Sequence, residues 1–150
     1  MADSQFYTLE AALAKAADIK GDLAASKLRL CKGPDFVPNQ FTTRDALIAN
    51  ECDFDGYTAG GYALVVWSGP GAASGGGAQI TSPLVHPSYG PAGAPPVVNS
   101  VVAWWIEDAT VGTPQVRIVG RFDPPKAMGA VSDIIDFVAQ IVEGRNAPSA

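Results

Sequence analysis

YALVVWSGPGAASGGGAQI, residues 62–80, joins an apolar run to a glycine-rich stretch. Stretches of this composition either cradle a phosphate at the mouth of a helix or connect two strands. A dinucleotide fingerprint needs Gly-x-Gly-x-x-Gly opening a helix. Here Gly69 and Gly71 fit, but Ser74 stands in the third glycine position. A Walker-type loop ends in Gly-Lys-Ser/Thr, and this stretch contains no lysine. The residues that follow, GGGAQITSPLVHP, contain Pro83 and β-branched side chains and offer no amphipathic helix to hold a pyrophosphate. The stretch therefore reads as a core strand, YALVVWS, followed by a flexible connection, GPGAASGGG, to the next strand. That points away from a nucleotide-binding α/β fold and towards a β protein.

The flanking segments agree. Residues 8–23, TLEAALAKAADIKGDL, place Leu9, Ala12, Leu13, Ala16, Ile19 and Leu23 on one helical face, with Glu10, Lys15, Asp18 and Asp22 opposite and Thr8 as N-cap. In SKLRLCK the period drops to two: Leu28 and Leu30 point inward, Lys27, Arg29 and Cys31 outward. GPDFVPNQ is a loop, and TTRDALIAN holds one helical turn. PSYGPAGAPP is a second long loop and VVNSVVAWWIEDA the most apolar strand. PQVRIVGRF alternates, with Val116, Ile118, Gly120 and Phe122 on one face, and DPPKAMGA reads as a turn region. SDIIDFVAQIVEG fits both periods: Ile134, Ile135, Val138, Ile141 and Val142 suit a helix, while Ile135, Phe137, Ala139 and Ile141 suit a strand. Its β-branched content favours the strand. RNAPSA is a polar tail.

The fold expected is mainly β: an antiparallel β-sandwich or jelly-roll-like domain with an N-terminal amphipathic α-helix. One domain spans 1–150, with the helix at 8–23, the sandwich at 26–143 and the tail at 144–150. A chain of 150 residues suffices for a real core. With 47% hydrophobic and 17% charged residues it is of globular composition, and 16 glycines and 12 prolines favour short strands and many loops.

A net charge of −5 argues against nucleic acid as the main partner, because phosphate binding needs a basic footprint. No run approaches the ~20 apolar residues of a membrane-spanning helix, and MADSQFYTLE lacks the features of a signal peptide. Cys31 and Cys52, far apart and without CxxC spacing, are expected to be free thiols.

Motifs for chemistry are weak. In ECDFDGY, Glu51, Asp53, Asp55 and Gly56 match positions 1, 3, 5 and 6 of a calcium loop, but Tyr62 occupies the position of the bidentate glutamate. The alternative is a turn in which Gly56 takes an unusual backbone angle. His86, the single histidine, has no Gly-x-Ser-x-Gly nucleophile motif to serve and reads as a loop residue. No pair among the 15 acidic residues is singled out for glycoside chemistry. The expectation is a non-enzymatic protein with no cofactor and no metal. VVAWWIED is apolar on both strand faces, so its second face needs cover from the chain itself or from another subunit. Lys27, Arg29 and Lys32 form a basic strip, which reads as a solvated edge or as a contact for an acidic partner.

Taken in order, LEAALAKAADIKGDLAASKLRLCKG, PDFVPNQFTTRDAL, CDFDGY, YALVVWSGPG, VVAWWIEDA and RFDPPKAM resemble a family of small proteins encoded in the structural gene clusters of tailed bacteriophages. The order of segments carries the resemblance, with Cys31 standing where that family commonly has an aromatic. It implies a virion component: a capsid decoration or cement protein on the capsid exterior, bound to the major capsid protein as a homo-oligomer, a trimer, and assembled in the host cytoplasm. Leu9, Leu13, Lys27, Arg29, Lys32, Trp104 and Trp105 are the candidate partner or oligomer contacts. The alternative is a tail- or fibre-associated module that binds a host ligand such as a glycan through SGPGAASGGG and HPSYGPAGAPP, with Tyr89 or a tryptophan stacking on the sugar.

Overall fold

The computed structural model describes residues 8–108 and 112–144. Its elements are α1 (Leu9–Asp22), β1 (Ser26–Lys32), α2 (Arg44–Ala49), β2 (Tyr62–Leu64), β3 (Ser68–Ala72), β4 (Ala78–Thr81), β5 (Asn99–Asp108), β6 (Gln115–Met128) and β7 (Gln140–Glu143). Among the described residues the strands form two antiparallel sheets, ordered β2-β1-β5-β6 and β3-β4-β7. The protein is mainly β with an N-terminal helix, as expected. The polar tail lies outside the described residues apart from Gly144.

Thr8 caps α1, its Oγ1 accepting from the Ala11 amide at 3.1 Å. The helix lies across β3, β4 and β7. Ala12 and Ala16 are buried on its inner face, so small side chains allow a close approach to the sheet. The main core joins these alanines and Leu23 to Leu28, Leu30 and Ile106 of the four-stranded sheet and to Ala78 and Ile80 of the other. A second core occupies the opposite face of the four-stranded sheet, where Trp105, Ala103, Val102 and Cys31 meet Leu47 of α2 and Phe36. The apolar strand VVAWWIED is therefore the central strand β5, with both faces covered inside the chain.

Several expectations are corrected. Cys31 is fully buried, because α2 covers the face to which it points. YALVVWS is not one core strand: pairing stops at Leu64, Val65 and Val66 are exposed, and Trp67 turns inward to donate its Nε1 hydrogen to Ser26 Oγ and to the Leu64 carbonyl, each at 3.1 Å. The glycine-rich stretch is largely a β-hairpin. SGPGA is itself β3, and the turn back to β4 is held by Ala73 N to Gly77 O at 2.9 Å. Gly77 has φ of +80°, and a Cβ there would overlap the Glu143 carbonyl at the end of β7. DPPKAM is the second half of β6 rather than a turn.

Strict alternation also fails on β5 and β6. Val102 is an extra residue between the partners of Cys31 and Lys32, so Val101 joins the main core while Val102, Ala103 and Trp105 join the second. A further register shift between Ile106 and Glu107 puts Val116 in the second core and leaves Ile118 and Phe122 at the main one. The final segment follows the strand reading: Ile135, Phe137 and Ala139 are buried, and Ile134 and Val138 are exposed.

Candidate interaction surface

The ECDFDGY carboxylates are occupied by groups of the protein itself. Glu51 binds Arg29 at 3.2 Å and accepts from the Tyr57 hydroxyl at 2.8 Å. Asp53 pairs with Lys32 at 3.0 Å and accepts from the Asn99 side chain. Asp55 accepts from the amides of Gly93 (2.7 Å) and Val97 (3.0 Å) and from the Tyr89 hydroxyl (3.3 Å). Those amide bonds hold its carboxyl below the usual carboxylate range, and the Asn99 and Lys32 bonds do the same for Asp53. Gly56 adopts φ of +94°, where a Cβ would strike the backbone of Ser88 and Gly90. The unusual backbone angle of the turn reading is present, and the three carboxylates clamp separate segments instead of converging. No metal-ligating group of three or more was found among the described residues.

The expected contact residues are mostly engaged inside the fold. Trp105 is fully buried and offers no surface to a partner. Trp104 is half-buried at the main core, its ring edge-on to Phe137 with centroids 4.9 Å apart. Leu13 packs against the same core, and Leu9 is half-buried at the start of α1. Arg29 is not part of a free basic strip. It bridges Glu51 and Glu107 (3.0 Å) and lies over the Trp105 ring, while Arg44 binds Glu107 from the other side at 2.9 Å. Lys32 is held by Asp53, and Lys27 is exposed. The two thiols are free and buried on opposite faces of the sheet, Cys31 in the second core and Cys52 in the main one. Burial pushes the Cys31 thiol up to about 12.

A different surface emerges from segments 82–89 and 133–139. They form an irregular antiparallel ribbon, with Val85 and Phe137 exchanging both amide bonds, Ile135 N donating to Pro87 O and Tyr89 N to Asp133 O. Alternate residues point in: Pro87, Tyr89, Ile135, Phe137 and Ala139 are buried. Their neighbours point out, so Leu84 (57% exposed), Ile134 (53%) and Val138 (51%) share the outer face with His86, whose Nδ1 lies 2.6 Å from Asp136 Oδ1. Val131, 72% exposed, extends this face beside Gly90. Sequence reasoning missed it, although the signal was present: once Ile135, Phe137 and Ala139 are assigned inward, Ile134 and Val138 must face out.

No family model matches the chain, and neither a curated protein nor a solved structure matches it at a significant level.

Proposed function

We propose that this protein is a non-catalytic structural component that decorates a larger protein assembly, and that the assembly is the capsid of a tailed bacteriophage. The observation that carries the docking part of this reading is the aliphatic outer face of the ribbon. Leu84, Val131, Ile134 and Val138 gather on one surface, whereas the carboxylates of residues 51–55, and Arg29 beside them, are committed to internal bonds. An exposed aliphatic face of this kind marks contact with another protein. The virion setting rests on the order of sequence segments that resembles the phage family. In this reading the chain binds the major capsid protein in many copies, as trimers on the capsid exterior, where avidity compensates for weak single contacts. The fold is read as a β-sandwich of jelly-roll type, supported by a main core drawn from both sheets.

The glycan alternative loses its stacking platform in the quoted loops, since Tyr89 is buried with its hydroxyl on Asp55. A truncation of α1 would not test shell binding, because Ala12, Ala16 and Leu23 are part of the main core. The test is the copy number of the chain on gradient-purified particles of the phage that encodes it. The double variant Leu84→Asp/Val138→Asp should lose at least tenfold in occupancy, with Phe41→Asp, on an exposed loop, as the control. Particles that lack the wild-type chain, or an unchanged occupancy of the folded double variant, would overturn the reading.

A further inference from the structure

We propose that the free edge of β6 over residues 116–121 is a strand-addition site for an extended acidic peptide segment of a partner protein. Strand β6 ends the four-stranded sheet, so its outer backbone groups have no neighbouring strand among the described residues. Along this edge runs a cleft of about 660 Å³, floored by residues 116–121 and walled by Pro38, Asn39, Gln40 and Thr42. The wall does not pair with the floor. Three amides of this segment bond within it: Asn39 N donates to Thr42 Oγ1 (2.8 Å), Phe41 N to Asn39 Oδ1 (2.8 Å) and Thr42 N to Asn39 O (3.0 Å). Natural edges are blunted by proline and by charge. In β6 the prolines stand at 124 and 125, beyond the cleft, and leave 116–121 able to pair.

The chemistry of the occupant follows from the side chains. Six residues at about 3.3 Å each give an edge about 20 Å long, enough for a short extended segment. Main-chain bonds to an edge supply affinity, and alternate side chains supply selectivity. Arg117 is already held by Asp108 at 2.9 Å. Arg121 lines the cleft and is exposed, and its side chain makes no ion pair or hydrogen bond among the described residues. An unengaged guanidinium beside Val116, Ile118 and Val119 favours a carboxylate-bearing strand with apolar alternate positions. This surface involves none of the ribbon residues, so it stands whether or not the shell-binding reading holds.

The test uses the full chain, ¹⁵N-labelled, and two capped hexapeptides: one alternating glutamate with valine, the other lysine with valine. The glutamate peptide should shift the amide signals of 116–121, slow their hydrogen exchange and bind at least tenfold more tightly than the lysine peptide. Arg121→Glu should reverse that order and Arg121→Gln should abolish the preference. Since this side chain is exposed, amide signals elsewhere should stay in place. Three results would overturn the proposal: no effect of either peptide on 116–121 at millimolar concentration, equal binding of both, or protection of this edge that rises with protein concentration alone. The last would assign the edge to a second copy.

Discussion

At Gly120 the absence of a side chain is a packing requirement. Gly120 lies directly across from Trp104, and a Cβ would overlap the indole ring. That ring is held edge-on to Phe137. Gly120→Ala should therefore displace Trp104 and cost about 1–3 kcal/mol, read as a lower urea midpoint. Arg29 and Lys32 sit on one strand yet should respond differently. Arg29 serves two carboxylates, one of them on the buried Glu107, so Arg29→Ala should cost about 3 kcal/mol. Lys32 pairs with the exposed Asp53, and Lys32→Ala should stay within about 1 kcal/mol. Asp55 gives the pH dependence. Its carboxyl titrates below its unfolded value, so its contribution is present above about pH 3.9 and is lost as pH falls through the lower folded value. Hydrogen exchange at the Gly93 and Val97 amides, corrected for intrinsic rates, should accelerate as pH falls below 4. In Asp55→Ala it should be fast at every pH.

At the scale of elements, α1 is a lid on the three-stranded sheet as much as an N-terminal extension. Ala12 and Ala16 sit where a longer side chain has no space, so Ala16→Leu should cost about 1–3 kcal/mol by overpacking, measured as a fall in thermal midpoint. The helix was legible because its apolar positions recur with one period over four turns. The bulged strands were less so. Nothing in VVAWWIED announces that Val102 is an extra residue, since both faces are apolar and a shifted phase exchanges one hydrophobe for another. SGPGA carries no apolar pattern and forms a strand only because its backbone pairs with β4. The engaged state of Arg29 was equally hidden, because its partners Glu51 and Glu107 lie far along the chain.

Across the whole molecule, two cores on opposite faces of one sheet remove the need for a second subunit to cover the tryptophan strand. Trp67 and Trp105 are buried within the chain, and Trp104 is half-buried against Phe137. Tryptophan emission should therefore stay blue-shifted when the protein is diluted from micromolar to nanomolar concentration. A red shift on dilution would show that a subunit contact covers them. The same division gives the two cysteines an experimental value. Each is a concealed nucleophile on its own side of the sheet, silent towards an alkylating reagent until that side opens. Mass spectrometry of the two peptides after timed alkylation would clock the breathing of each layer separately. Cys31, beneath the short helix α2, should be marked before Cys52.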